Sequence, residues 1–81
     1  EEEAMLLANP APTPEQLAAQ AEDKRIALRA AADSNIAWRQ DAVDAGIATT
    51  EETADLAAWK KYRVLLMRVD SAKPVWPVTP L

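Results

Sequence analysis

The chain contains one glycine, Gly46, and it separates two long stretches that hold neither proline nor glycine, Glu15 to Ala45 and Ile47 to Lys73. Glycine adopts the left-handed conformation just beyond a helix end at little cost, so Gly46 marks where one helix stops. Two breaker-free stretches joined by so short a connection fold back as antiparallel neighbours. The expected class is therefore all-α. It is an antiparallel hairpin with a long helix over about 14–45, a second over about 50–70, and an extended Pro-rich C-terminal tail.

Local signals place the ends. Thr13 is a candidate N-cap, Pro14 suits the first helical position and Gln16 completes a capping box. The first helix then spans about 30 residues, roughly 45 Å. Asp33-Ser34-Asn35 is its weak point, where short polar side chains compete for the backbone and a bend is expected. Beyond Gly46, Ile47 is placed to supply the hydrophobic contact that accompanies a glycine stop. Thr49 with Glu52 forms a second capping box, and Glu51 and Glu52 suit the positive end of a helix.

Periodicity gives the faces. On the first helix the apolar stripe runs through Leu17, Ala21, Leu28, Ala32, Ile36 and Val43, close to heptad spacing and thin because alanine buries little. On the second it runs through Ala58, Trp59, Tyr62, Leu65, Leu66 and Val69. In an antiparallel hairpin, residues whose numbers sum to about 95 lie opposite one another, within a residue or two. Trp59 then faces Ile36, Leu66 faces Leu28 and Arg29, and Val69 faces Ile26. Arg63 meets Asp33, while Asp70 meets Arg25 or accepts from the backbone at the start of the tail.

That register leaves roughly three turns, Pro14 to Arg25, without a helix to lie against. Leu17, Ala18 and Ala21 need cover there. The tail, residues 71–81, cannot be helical because of Pro74, Pro77 and Pro80, and at roughly 3.1 Å per residue it is long enough to pass the overhang. Trp76 is its natural anchor, in its own hairpin, in a dimer, or on another chain. Residues 1–13 read as a linker or the tail of an upstream domain, consistent with a start at Glu1 instead of Met; Met5-Leu6-Leu7 is a candidate apolar clip.

Composition narrows the function. With neither cysteine nor histidine there is no thiolate, no imidazole base and no ordinary transition-metal site. One glycine cannot build a phosphate-cradling loop, so neither cofactor nor catalysis is expected. A net charge of −4 argues against a nucleic-acid binder. No apolar run reaches membrane-spanning length, so no membrane insertion is expected. Asp41, Asp44, Glu51, Glu52 and Asp55 form an acidic tip without calcium-loop spacing, best read as a solvated face.

One series is more specific: Asp41-Ala42-Val43-Asp44-x-Gly46-Ile47-Ala48-Thr49, then Trp59-Lys60-Lys61-Tyr62-Arg63, Leu66, Arg68-Val69-Asp70 and Trp76-Pro77. This W-x-x-Y-R…L-x-x-V-D…W-P pattern resembles the C-terminal part of the tail fibre assembly proteins of tailed bacteriophages and their prophages. The stretch TPEQLAAQAEDKRIALRAAA is similar as well. The resemblance implies a non-enzymatic accessory protein, a chaperone that folds, trimerises or attaches a tail fibre protein in the cytoplasm of the bacterial host. A component retained at the fibre tip, contributing to host-surface binding, is the alternative.

The matching positions Gly46, Trp59, Tyr62, Arg63, Leu66, Val69, Asp70, Trp76 and Pro77 are either structural or contact residues. Trp59 and Tyr62 read as hairpin core, with an interface hot spot as the other role. Trp38 lies off the apolar stripe and faces outwards or towards a second chain. With Leu17 and Ala21 it forms the candidate interface of a self-associating hairpin, a dimer being favoured.

Overall fold

The computed structural model describes residues 11–80. Two helices make up its regular structure, α1 at Pro14–Asp44 and α2 at Thr50–Met67, packed side by side and antiparallel. A cross-section of 24 × 15 Å is two helices wide and about one deep.

Both N-termini are held by reciprocal capping boxes. The Thr13 hydroxyl accepts from the Gln16 N–H at 3.1 Å, and the Gln16 amide oxygen accepts from the Thr13 N–H at 2.9 Å. Thr49 and Glu52 repeat the motif at 3.0 and 2.9 Å. Each box satisfies two N–H groups that a helix start would otherwise leave unpaired.

The α1 stop is a Schellman motif. The Ile47 N–H donates to the Ala42 carbonyl and the Gly46 N–H to the Val43 carbonyl, each at 3.0 Å. Gly46 has φ +73°, the left-handed region. Ile47 does not make the hydrophobic contact expected of it. It stays 76% exposed, so backbone bonding and glycine carry the turn.

Through Asp33-Ser34-Asn35 the helix is unbroken. Asn35 donates from Nδ2 to the Ala31 carbonyl at 2.9 Å, one turn back, so its competition for the backbone is spent within the helix.

The α2 end differs from the expected one. The helix stops at Met67, not Asp70. Val69 N–H reaches only the Leu66 carbonyl, at 3.3 Å, and the Asp70 carboxylate turns to the Ala72 N–H at 2.9 Å. Arg25 donates to the Val69 carbonyl from across the hairpin. These side-chain bonds replace the last turn of helix.

The core is one cluster: Ala32 and Ile36 of α1 with Leu56, Trp59, Tyr62 and Leu66 of α2. Leu28 and Trp76 pack against its edge. Leu66 is fully buried, and fully burying a leucine stabilises by about 1.5–3 kcal/mol. Alanine at 32 lets α2 approach closely while α2 supplies the bulk. Several expected face residues lie at the margin: Leu17, Val43, Ala58 and Leu65 are exposed.

Candidate functional site

The expected register holds at Arg63, whose guanidinium donates to Asp33 Oδ1 at 2.9 Å. Lys60 reaches past its register partner to donate to the Gln40 amide oxygen at 2.8 Å, and Ile26, expected to face Val69, is instead 66% exposed. Trp59 and Ile36 share the core cluster, Trp59 being 6% exposed and meeting Tyr62 edge to face at 5.6 Å between ring centres. Both aromatics are thus buried in the hairpin core.

Arg25 and Asp70 do not pair. Arg25 takes the Val69 carbonyl and Glu22, the latter at 3.4 Å, while Asp70 takes the tail backbone. The second role considered for Asp70 is the one the geometry adopts. It stabilises the bend at Ser71-Ala72-Lys73, which sends the tail back over the hairpin; the Asp70 carbonyl accepts from the Lys73 N–H at 3.1 Å.

Trp76 lies half-buried against the hairpin core, with Lys24 Nζ 4.8 Å from the centre of its ring. Such a cation over an indole face contributes roughly 0.5–1 kcal/mol at a partly exposed site. Pro77 is half-buried next to it. The tail does not run the length of the overhang. After Trp76 it returns along α2, where Val78 and Pro80 border a shallow depression with Ala58, Lys61, Tyr62 and Leu65.

Between the overhang and the tail lies an open groove of about 290 Å³. One wall is Leu17, Gln20, Ala21 and Lys24 of α1; the other is Ser71, Ala72, Pro74 and Trp76. Ala21 is buried at its base, so of the candidate interface residues it is closed off by its own chain. Leu17 is 52% exposed on the rim. Trp38 stands apart from the groove, 48% exposed, with the Arg39 guanidinium 4.3 Å over its ring.

Two buried residues escaped the sequence reading. Leu56, three before Trp59, continues the buried face towards the turn, and that spacing was there to be read. Arg39 is 6% exposed although charged. Its Nη1 donates to the Asn35 carbonyl and Oδ1 at 3.0 and 3.1 Å, and its Nη2 lies 4.0 Å from Asp55 across the hairpin. Arg39 lies three residues after Ile36, on the buried face, but its charge masked it. Among the described residues no group of three or more His, Cys, Asp or Glu side chains is placed to hold a metal ion.

A family model described as "Caudovirales tail fibre assembly protein, lambda gpK" matches residues 3–81. The chain belongs to the Caudovirales tail fibre assembly family. Within this family it is 53% identical over 76 residues to a probable tail fiber assembly protein of Shigella phage SfV, covering 94% of this chain and 46% of that protein. To a probable tail fiber assembly protein of Acyrthosiphon pisum secondary endosymbiont phage 1 it is 46% identical over 74 residues, 88% of this chain and 48% of that protein. To the tail fiber assembly protein of Escherichia phage lambda it is 49% identical over 65 residues, 76% of this chain and 34% of that protein. The chain thus spans less than half the length of these relatives. No solved structure gives a significant match. Among the described residues no helix is long and apolar enough to cross a membrane.

Proposed function

We propose that the chain is a non-catalytic protein-contact module in the assembly of phage tail fibres, acting as a chaperone on a tail fibre protein in the bacterial host cytoplasm. The observation that carries this reading is the family match across residues 3–81, on a hairpin whose motif aromatics are spent on its own core. With Trp59 and Tyr62 buried, recognition falls to what the hairpin leaves on its surface: Leu17, Trp38 and the tail. The elongated two-helix shape suits a clamp that lies along a partner, and it leaves little room for an enclosed reaction site.

Self-association belongs to the same proposal. Trp38, 48% exposed, is a costly side chain to leave in water, and a second hairpin offers it cover. Light scattering expects a dimer, and a compact monomer at high concentration removes this part of the proposal.

The main test is co-production of the chain with the tail fibre protein of the same phage. The expected result is a larger yield of soluble, trimeric fibre than fibre protein gives alone. An unchanged yield, with no complex on gel filtration, would refute the chaperone reading.

A further inference from the structure

We propose that the groove between the α1 overhang and the Trp-Pro tail is the surface that grips the tail fibre protein, taking an apolar side chain with a carboxylate beside it. This inference rests on the tail fibre reading above and assigns it a place on the molecule.

Three observations define the ligand's chemistry. The groove is open and about 290 Å³, at the lower edge of the roughly 300–1,000 Å³ of small-molecule pockets, so it accommodates one or two side chains and not a cofactor. Its surfaces are apolar where a side chain would enter: Leu17 half-exposed on the rim, Ala21 at the base, Pro74 and Trp76 opposite.

The third observation is charge. Each arginine of α1 meets a carboxylate of its own chain: Arg25 meets Glu22 at 3.4 Å, Arg29 meets Asp33 at 3.8 Å and Arg39 meets Asp55 at 4.0 Å. Lys24 meets none among the described residues; its contact is the Trp76 ring. The sequence explains why. One turn away on either side stand Gln20, Ala21, Ala27 and Leu28, none of them acidic, and Glu22 and Asp23 point elsewhere because side chains one or two apart on a helix do not face each other.

An ammonium without a carboxylate partner, at the rim of an apolar groove, complements a carboxylate next to an apolar side chain. Acids farther than about 8 Å from Lys24 are largely screened at physiological salt; of the nearer ones, Glu22 is paired with Arg25 at 3.4 Å and Asp23 projects from another side of α1. Lys24 thereby has a double position: it sits over Trp76, and its N–H groups have no carboxylate of the described residues to donate to.

The test uses the full chain with a photo-crosslinking amino acid in place of Gln20, in complex with the tail fibre protein of the same phage. The expected crosslink is to a fibre peptide in which a Leu, Ile, Met or Phe lies within two residues of Asp or Glu. Leu17→Asp and Lys24→Glu should each weaken fibre capture about tenfold with an unchanged helical circular dichroism spectrum, while Val64→Asp, exposed and outside the groove, should capture normally. Crosslinks to residues 1–10 of the same chain, to a second copy, or to a fibre peptide lacking an acid would overturn the assignment. So would full capture by both groove variants, and in that case the tail fibre reading stands. No fibre capture by the unaltered chain would overturn both.

Discussion

The two ends of the hairpin are held by different means. Towards the turn, α1 and α2 cover one another with Ile36, Leu56 and Trp59, and polar bridges at Lys60–Gln40 and Arg39–Asp55 cross between them. Towards the chain ends α1 outruns α2, and its cover is a non-helical tail anchored by one half-buried indole. Two helices of equal rise present matching ridges along their whole shared length, so their contact is continuous. A tail with proline at 74, 77 and 80 lacks three N–H donors and touches the helices mainly through side chains. The first kind of cover makes a stable interior. The second leaves a groove.

If that contrast is right, substitutions should separate the halves. The largest effect is expected from Trp59→Ala: emptying so buried an aromatic site costs about 3–5 kcal/mol, enough to abolish the cooperative thermal transition of a chain this small. Trp76→Ala should cost less, about 2 kcal/mol, since half of an indole's burial is at stake. Hydrogen exchange should then rise between Leu17 and Lys24 and stay unchanged between Ile36 and Asp44. A uniform rise along α1 would erase the distinction between the halves.

Gly46→Ala tests the turn alone. No heavy atom beyond Gly46 and its two chain neighbours lies within 4 Å of where its Cβ would sit, so the cost is that of forcing alanine to φ +73°, about 1–2 kcal/mol, read from denaturant unfolding with an unchanged slope. The smallest effect is expected for the Arg63–Asp33 pair. Both side chains are more than a third exposed, and a double-mutant cycle should return a coupling of about 1 kcal/mol or less, shrinking with salt. A coupling well above that would mean that the pair sets the register and does not merely follow it.

Much of the hairpin was legible because its signals are local. Thr13 with Gln16 and Thr49 with Glu52 are complete motifs within four residues, and Gly46 is the one position able to adopt the left-handed stop cheaply. The register followed from counting outwards from that stop, and Arg63 meets Asp33 as the count requires. What escaped were residues whose type argues against their place. Arg39 is buried with Nη1 bonded to Asn35, one turn back on the same helix, and Nη2 4.0 Å from Asp55; Asp55, across the hairpin, is the partner that the neighbours of Arg39 in sequence do not show. The three missing residues at the end of α2 escaped for a similar reason: Arg25, more than forty positions away, takes the Val69 carbonyl.

The sequence by itself determined where each helix begins, where the first one stops, and which residues of the two face each other, because capping bonds and glycine's freedom are settled within a few residues. Tertiary structure alone decided the path of the tail and with it the closure of Ala21, the position of Lys24 over Trp76 and the groove between them. The physical reason is that a proline-rich segment has no hydrogen-bond pattern of its own to fix its direction. It goes where an aromatic side chain finds an uncovered apolar surface, and that surface exists only once the hairpin has formed.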